Sequence, residues 1–324
     1  MAALSEFQLI ERFFRRPARS AVLGVGDDAA LVAPSPGCEV ALAVDMLVSG
    51  RHFFADVDAQ SLGHKTLAVN LSDMAAMGAT PRWALLAGAL PAADPVWLAA
   101  FAKGLFALAD AHRVDLIGGD TTQGPLTLCV TIVGEVAAGR ALRRSGALPS
   151  DAIWVSGTLG DAALALAHRQ GRIELAGADF AACEHALLWP TPRVALGERL
   201  LGIASAAIDV SDGLTGDLGH VLQASGVGAQ VELAALPCSD VMRRQLAGTA
   251  RETALRCLLA GGDDYELCFT APTRHTPVLQ AMAGELGIPL ACIGAIRAQG
   301  GLVVRDETGR PLARLPFAFD HFAN

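Results

Sequence analysis

The sequence predicts a mixed α/β or α+β protein made of two domains. Segments with helical and with strand-like apolar patterns alternate along the whole chain, which is typical of this class. The length of 324 residues is enough for two ordinary domains. A turn-rich stretch at residues 143–151 separates two runs of this alternation. We therefore expect an N-terminal domain over residues 1–145 and a C-terminal domain over residues 146–324.

The first run opens with a helix. Ser5 and Gln8 have the spacing of a capping box, and apolar residues follow at helical spacing. The apolar run at residues 38–48 predicts a strand that ends in Asp45. A long helix is predicted at residues 94–113, because a proline stands near the start of this segment. The remaining predicted elements are a helix at 61–79 and strands at 81–91, 114–122 and 125–136.

The second run repeats the alternation. A strand and a turn are predicted at residues 206–213, followed by a helix at 214–226 that Gly226 ends. The other predicted helices are 161–170, 192–204 and 276–287, and the other predicted strands are 151–157, 228–236, 264–271, 290–296 and 301–306.

Composition excludes several classes of protein. No apolar run reaches the roughly 18 residues of a membrane helix, and Glu6 and Glu11 interrupt any signal peptide. The seven cysteines include no C-x-x-C pair, so neither a zinc site nor a disulfide framework is predicted. The net charge of −8 argues against a nucleic-acid partner. Neither Lys65 nor Lys103 follows glycine, as a P-loop requires. We expect a soluble, cytoplasmic protein with no nucleic-acid or membrane partner.

Aspartate recurs at or near the ends of apolar runs, mostly beside glycine. Asp27 and Asp28 place two like charges in a glycine-lined turn, and the theme returns four times. The five segments are LGVGDDAALV at 23–32, NLSDMAAMG at 70–78, LIGGDTTQG at 116–124, AIDVSDGLTGD at 207–217 and LAGGDDYELCFT at 259–270. Loops that follow buried elements are where sites are usually built. The pattern raises the question of what these carboxylates hold.

Known motifs and ordinary turn chemistry account for only part of this set. GVGDDA matches a dinucleotide-binding fingerprint, but Asp27 and Asp28 would repel a pyrophosphate. Counted from Asp209, an EF-hand needs glycine and glutamate where Leu214 and His220 stand. Aspartate also forms turns and caps helices. The residues assigned to that role are Asp161, Asp217 and Asp240.

Turns and caps do not explain the doubled acids Asp27–Asp28 and Asp263–Asp264. Carboxylates that converge on one place repel each other unless a cation neutralises them. Because Mg²⁺ typically takes carboxylates together with phosphate oxygens, the set predicts magnesium that holds phosphate. Arg144 could bind a phosphate with both arms of its guanidinium group. From its spacing alone, His52 is better interpreted as a histidine of a surface loop than as a site residue.

Seven motifs, in order and across nearly the whole chain, resemble the thiamine-monophosphate kinase family. They are GVGDDAA, VDMLVSGRHF, KTLAVNLSDMAAMGATP, LIGGDTTQGP, ALRRSGA, IDVSDGL and GGDDYEL. The family is one branch of a superfamily that includes aminoimidazole-ribonucleotide synthetase, selenophosphate synthetase and a hydrogenase-maturation enzyme. The resemblance implies ATP-dependent phosphorylation of thiamine monophosphate to thiamine diphosphate. It also implies a homodimer in which the N-terminal sheets of two subunits pair into a barrel, with ATP near the interface.

The resemblance further implies roles for individual residues. The implied magnesium ligands are Asp28, Asp45, Asp73, Asp120, Asp209 and Asp212, and we count Asp27 with its neighbour. Among them, the expected catalytic residues are Asp73, Asp120 and Asp212. The implied nucleotide contacts are Gly119, Asp120, Arg144 and Ser211, and the implied substrate contacts are His52, Asp263 and Phe319. The N-terminal domain would bind metal and ATP and form the dimer, and the C-terminal domain would complete the nucleotide and substrate site.

The chain departs from the family pattern at three places. Hydroxyl residues that help to bind metal often precede the first strand aspartate, but Ala43 and Val44 stand there. The acid after the two glycines is often glutamate and is Asp263 in this chain. Phe319 replaces an aromatic residue that is often tyrosine or tryptophan, so a hydrogen bond there would be lost.

The implied reaction needs no general base. A phosphate monoester has a second pKa of about 6, so the acceptor is already a nucleophilic dianion at neutral pH. The obstacle is repulsion between two anions, which bridging Mg²⁺ ions remove. Two alternatives remain open. One is another ATP-dependent synthetase of the superfamily that acts on a phosphorylated small molecule, and the other is a metal-stabilised binding protein without turnover.

Overall fold

The chain folds into two compact units in a computed structural model that describes residues 5–316. The first unit contains Met1–Met74 and Ala79–Gly139, and the second contains Ala75–Gly78 and Arg140–Asn324. The mixed α/β class expected from the sequence is confirmed. The division falls after Gly139, whereas the sequence placed it after residue 145.

A four-stranded sheet forms the centre of the first unit. Its strands are β1 (Cys38–Val48), β2 (Thr80–Leu90), β3 (Asp115–Gln123) and β4 (Thr127–Ala137), in the order β1-β4-β2-β3. Neighbouring strands are antiparallel except for the parallel pair β2 and β3. The helices are α1 (Glu6–Leu9), which continues as a π-helical segment (Ile10–Phe14), α2 (Ala59–Ala76) and α3 (Pro95–Ala111).

Helices α2 and α3 cross at two glycines. A Cβ atom on Gly63 would lie 2.0 Å from the carbonyl oxygen of Phe101, and one on Gly104 would lie 1.8 Å from that of Gln60. No larger residue fits at either position, so the two helix backbones touch. This contact fixes the position of α2, the helix that carries Asp73.

Strand β1 is an edge strand with one face open to solvent. Four apolar side chains on that face, Val40, Leu42, Val44 and Met46, are 40%, 68%, 60% and 55% exposed. Within the single chain, this apolar strand is therefore covered on one face only. Asp45 lies inside β1 rather than at its end. Because successive side chains of a strand point to opposite faces, Asp45 is directed away from this apolar face.

The second unit is built around a six-stranded mixed sheet. Its strands are β5 (Ala152–Ser156), β6 (Ala206–Val210), β7 (Gly228–Glu232), β8 (Glu266–Ala271), β9 (Leu290–Arg297) and β10 (Gly301–Arg305), in the order β10-β7-β9-β5-β8-β6. The pair β10 and β7 is parallel, and the other pairs are antiparallel. Every residue of β5, β6 and β8 is buried, so these strands lie in the core.

Seven helices complete the second unit. They are α4 (Asp161–Arg169), α5 (Gly177–Leu188), α6 (Val194–Leu200), α7 (Leu214–Ser225), α8 (Asp240–Ala247), α9 (Arg251–Ala260) and α10 (Thr276–Leu286). The sequence missed α5, α8 and α9. Ala176 and Ala250 precede α5 and α9 without a side-chain cap, so no capping residue marks those starts. The start of α8 does carry a signal, because Ser239 accepts a hydrogen bond from the N–H of Met242.

Strand β8 begins later than the sequence predicted. It starts at Glu266 rather than at residue 264. Asp263 and Tyr265 precede it with left-handed backbones, at φ values of 61° and 50°. Within residues 5–316, no helix has the length and the apolar character needed to cross a membrane.

Candidate active site

In the first unit, the backbone of Asp45 contacts Asn70 on α2, the helix that also carries Asp73. The backbone N–H of Asp45 donates a hydrogen bond to Oδ1 of Asn70 on α2, over 3.1 Å. Asp73 follows Asn70 by one helical turn, and residues at that spacing share a helix face. Both aspartates are partly exposed. The structure therefore brings these two predicted ligands to one side of the sheet.

Asp120 lies on the other edge strand of the same sheet. It is exposed and pairs with Ala87 across β3 and β2. Gly119 beside it has a φ of 148°, and a Cβ there would lie 1.8 Å from the carbonyl oxygen of Leu86. Only glycine permits this approach, so Gly119 sets the register of Asp120. Because β4 and β2 separate β1 from β3, roughly 14 Å of sheet lies between Asp45 and Asp120.

The doubled acids Asp27 and Asp28 lie in an exposed loop. Oδ1 of Asp27 accepts a hydrogen bond from the N–H of Asp28 over 2.9 Å. One of the two carboxylates thus also stabilises its own turn, as ordinary turn chemistry predicts. The carboxylate of Asp28 remains on the loop surface.

His52 follows β1 in a tight turn and is partly buried. The Nδ1 atom of its imidazole accepts a hydrogen bond from the backbone N–H of Val48 over 3.0 Å. The backbone N–H of His52 donates to the backbone carbonyl of Val48 over 2.9 Å. A neutral imidazole whose Nδ1 accepts carries its proton on Nε2. The turn therefore presents Nε2–H as the donor of His52.

In the second unit, two motif segments run side by side. The N–H of Asp263 donates to the carbonyl of Ser211 and the N–H of Tyr265 to the carbonyl of Val210, each over 2.8 Å. Asp209, at the end of β6, is buried, and Asp212 is partly exposed. The structure thus places the GGDDYEL segment against the turn that follows β6. Four of the predicted site residues meet there: Asp209, Ser211, Asp212 and Asp263.

Asp217 organises that turn. Its Oδ2 accepts hydrogen bonds from three consecutive backbone N–H groups, those of Ser211, Asp212 and Gly213, over 3.1, 3.1 and 3.0 Å. Burial, and then the nearby charge of Asp209, raise the pKa of Asp217 to about 7. The sequence assigned Asp217 to turn chemistry, which is correct. The turn in question, however, is the one that presents Ser211 and Asp212.

Tyr265 holds the carboxylate of Asp263. Its hydroxyl donates to Oδ1 of Asp263 over 3.0 Å. Neither Asp263 nor Asp264 lies in β8, which begins at Glu266, so the two carboxylates are directed by the turn before that strand. Asp264 instead accepts a hydrogen bond from the N–H of Gly160 over 2.8 Å, and burial raises its pKa well above the usual value.

A buried ion pair braces the first residue of β8. Glu266 accepts two hydrogen bonds from the guanidinium group of Arg193, from Nε over 2.7 Å and from Nη2 over 2.5 Å. Ser156 donates a third over 2.5 Å. A paired arginine of this geometry restricts both side chains. The strand start that follows Tyr265 is therefore rigid.

Arg144 lies in an exposed loop that α7 holds in place. The hydroxyl of Ser225, at the end of α7, donates to the carbonyl of Arg144 over 3.2 Å and accepts from the N–H groups of Gly146 and Ala147, each over 3.1 Å. One helix therefore carries the Asp217 turn at its start and the Arg144 loop at its end. Sequence reasoning missed Ser225, which has no motif signal. Phe319 lies outside the described residues.

The donor set fits a hard cation, although it is divided. The predicted ligands of the first unit are Asp27, Asp28, Asp45, Asp73 and Asp120, and those of the second are Asp209 and Asp212. Among residues 5–316, no three histidine, cysteine or acidic side chains form a closed metal cluster. Mg²⁺ does not require one, because it binds through one or two carboxylates and completes its shell with water and phosphate oxygens. The charges of Asp209 and Asp212 both act on Asp217, which places two such carboxylates at one turn.

Known proteins share both domains of this chain. The models of AIR synthase related protein match residues 26–136 for the N-terminal domain and 149–307 for the C-terminal domain. The thiamine-monophosphate kinase of Salmonella typhimurium is 48% identical over 329 aligned positions, which cover 99% of each chain. The chain belongs to the thiamine-monophosphate kinase family. The resemblance drawn from the seven motifs is therefore confirmed.

Solved structures of the thiamine-monophosphate kinase family have the same fold. The enzyme of Stenotrophomonas maltophilia is 49% identical with a TM-score of 0.85, covering 94% of this chain and 97% of that one. AaThiL complexed with AMPPCP and TMP is 28% identical with a TM-score of 0.77, covering 90% of this chain and 89% of that one. The family's fold thus extends over nearly the whole chain.

Proposed function

We propose that this chain transfers the γ-phosphoryl group of ATP to the phosphate of thiamine monophosphate and forms thiamine diphosphate. The observation that carries the proposal is the full-length identity with thiamine-monophosphate kinases, together with a family structure that holds AMPPCP and TMP. An oxygen of the acceptor phosphate forms the new bond to the γ-phosphorus. The bond between that phosphorus and the bridging oxygen breaks, and ADP leaves.

The motif aspartates would hold Mg²⁺ in this reaction. The residues proposed for it are Asp27, Asp28, Asp45, Asp73, Asp120, Asp209 and Asp212, of which Asp73, Asp120 and Asp212 would be catalytic. Bound magnesium would neutralise the charge that accumulates between the two phosphates. Asp217 would act through the backbone, because it fixes the turn that presents Ser211 and Asp212.

The other site residues would bind and orient the two substrates. Gly119, Asp120, Arg144 and Ser211 are the proposed nucleotide contacts, and His52, Asp263 and Phe319 are the proposed contacts to thiamine monophosphate. The Nε2–H of His52 can donate to a phosphate oxygen. The carboxylate of Asp263 can face the cationic thiazolium ring or the aminopyrimidine. No side chain is assigned as general base, because the acceptor is a dianion.

The apolar face of β1 supports a homodimer. Val40, Leu42, Val44 and Met46 form one stripe on an edge strand, and each is at least 40% exposed. An exposed apolar stripe of this kind is typical of a protein interface. We place the stripe at the contact between the N-terminal sheets of two subunits. The seven free thiols and the use of ATP favour a cytoplasmic enzyme.

One incubation tests the proposed function. The enzyme is supplied with ATP, Mg²⁺ and thiamine monophosphate, and thiamine diphosphate and ADP are quantified. Free thiamine should not react, because its alcohol would need a base that the site does not supply. Release of ADP with formylglycinamidine ribonucleotide, and none with thiamine monophosphate, would assign the chain to a synthetase branch instead. Nucleotide binding without any turnover would indicate a binding protein.

A further inference from the structure

Three arginines from separate segments line one cavity of the second unit. Arg172 follows α4, Arg256 lies on α9, and Arg314 belongs to the segment after β10. The cavity has a volume of about 410 Å³, which is within the range of small-molecule sites. None of the residues assigned to the kinase reaction that the structure describes lines it.

These arginines have no partner among residues 5–316. None of the three forms an ion pair or a hydrogen bond through its guanidinium group with a described residue, although other arginines nearby do. Glu252 also lines the cavity and lies one helical turn before Arg256, yet it pairs with none of them. Three unpaired guanidinium groups in one cavity create a local positive potential in a chain of net charge −8.

Two of these exposed arginines act electrostatically on one buried group. Arg172 and Arg256 both lower the pKa of the buried thiol of Cys257, against the larger effect of burial, which raises it to about 11. Their positive charges therefore act at the same point. A guanidinium group offers five donors in a fork that matches phosphate oxygens.

Apart from Glu252 and Thr253, the rest of the lining is apolar. Leu255, Leu315 and Pro316 complete the wall beside the arginines. Leu315 packs against the core, and the carbonyl of Pro316 accepts a hydrogen bond from Thr215 over 3.4 Å. Earlier in the same segment, the N–H of Leu312 donates to the carbonyl of Val304 over 2.8 Å. The segment that carries Arg314 is thus anchored on both sides of the cavity.

We propose that this cavity is a binding site for a small organic phosphate, separate from the kinase site. The phosphate group would lie among Arg172, Arg256 and Arg314, and the organic part against Leu255, Leu315 and Pro316. Glu252 would stand at the rim and oppose an anion.

The test uses phenyl phosphate and inorganic phosphate as probes, in excess EDTA and at low ionic strength. Without divalent cations the aspartate-lined site repels anions, so calorimetric titration reports the arginine cavity. We expect one phenyl phosphate per chain, bound more tightly than inorganic phosphate. Arg172→Gln and Arg256→Gln should each weaken binding by about tenfold, because each removes charge-assisted hydrogen bonds. Glu252→Gln should tighten binding.

Arg274→Gln is the matched control, because Arg274 is an exposed arginine of the same unit that does not line the cavity. It should bind phenyl phosphate like the unsubstituted protein, and Arg144→Gln should do so too, because Arg144 belongs to the kinase site. Absence of binding in EDTA would overturn the proposal. So would equal affinity for the two probes, or a loss in Arg274→Gln or Arg144→Gln as large as that in Arg256→Gln.

Discussion

Tyr265 donates a hydrogen bond to the carboxylate of Asp263 across 3.0 Å, although only one residue separates them in the chain. The contact depends on the left-handed backbones of both residues, at φ values of 50° and 61°. Non-glycine residues adopt this conformation rarely, and it persists only where the surroundings hold it. The N–H groups of both residues are held by the carbonyls of Val210 and Ser211. The direction of the Asp263 carboxylate is therefore set by the fold.

Replacing Tyr265 by phenylalanine should affect one substrate only. Tyr265→Phe keeps the buried ring and removes the hydroxyl, so the carboxylate of Asp263 loses its orientation. We expect the KM for thiamine monophosphate to rise about fivefold to tenfold, which corresponds to one hydrogen bond, while the KM for ATP stays unchanged. Asp263→Asn, which removes the charge itself, should raise the same KM further. An equal effect on both KM values would contradict the assignment of Asp263 as a contact to thiamine monophosphate.

Asp217 should stabilise the turn that presents Ser211 and Asp212. Asp217→Leu removes the acceptor of three backbone N–H groups, a buried one at Gly213 and part-buried ones at Ser211 and Asp212. An unsatisfied buried N–H costs about 1–3 kcal/mol. We expect a loss of several kcal/mol in the free energy of unfolding, measured with urea, and a higher Mg²⁺ concentration for half-maximal activity. Asp217→Asn retains one acceptor oxygen and is the control that should stay folded. A leucine variant as stable as the asparagine variant would show that the three contacts contribute nothing.

The sequence predicted the residues that lie close together in the chain, and it missed those that depend on the path of the backbone. Asp209, Ser211 and Asp212 share one motif, so their turn follows from local chemistry. Ser225 holds the Arg144 loop across a long stretch of chain, and nothing in its own neighbourhood indicates that role. A hydrogen bond between a side chain and backbone groups so distant in sequence is a property of the fold.

The strand predicted at residues 264–271 is present but begins two residues later, for a similar reason. Tyr265 and the apolar residues after it favour a strand by propensity. The hydrogen bond from the N–H of Tyr265 to Val210 instead holds its backbone in the left-handed region, and pairing begins at Glu266. Tertiary contacts therefore override local propensity in the segment before β8, where the carboxylate of Asp263 is oriented.

Two aspartates of the first unit should be required for turnover. Asp73→Asn and Asp120→Asn each remove a proposed metal ligand, and the loss can amount to several kcal/mol of transition-state stabilisation. We expect activity to be nearly abolished while the circular dichroism spectrum and the melting temperature are retained. Asp240→Asn, at an exposed helix start, is the matched control and should remain active. Full activity in excess chelator would contradict the metal-dependent mechanism.

Asp264 should make the protein less stable as the pH rises. Its pKa is raised in the folded state, mainly by burial, so the folded protein binds a proton that the unfolded chain releases near pH 4. Stability therefore falls as the pH increases above the unfolded pKa. Asp264→Asn removes this dependence, so its melting temperature relative to that of the unsubstituted protein should increase as the pH rises above about 4.

Asp240 provides a control of opposite sign. Its pKa is lowered by the hydrogen bond from Arg243, so its contribution is present above the unfolded pKa and is lost as the pH falls. Asp240→Asn should therefore show no gain at high pH. A melting-temperature difference for Asp264→Asn that does not grow with pH would mean that the buried carboxyl stays ionised throughout.

The exposed stripe of β1 should decide the oligomeric state. Leu42 lies within the stripe and is 68% exposed. Burying such a side chain contributes about 1.5–3 kcal/mol to the free energy of association. Leu42→Glu would place a charge inside the proposed interface and should convert a dimer of twice 33.5 kDa into a monomer at micromolar concentration, as measured by sedimentation velocity. Val96→Glu is the matched control, because Val96 is 79% exposed on α3 of the same unit. It should leave both the dimer and the activity intact.

Since the nucleotide site is proposed near the subunit contact, the Leu42→Glu monomer should also lose turnover. An unsubstituted chain that sediments as a fully active monomer would place the function within one subunit and leave the stripe without a structural role.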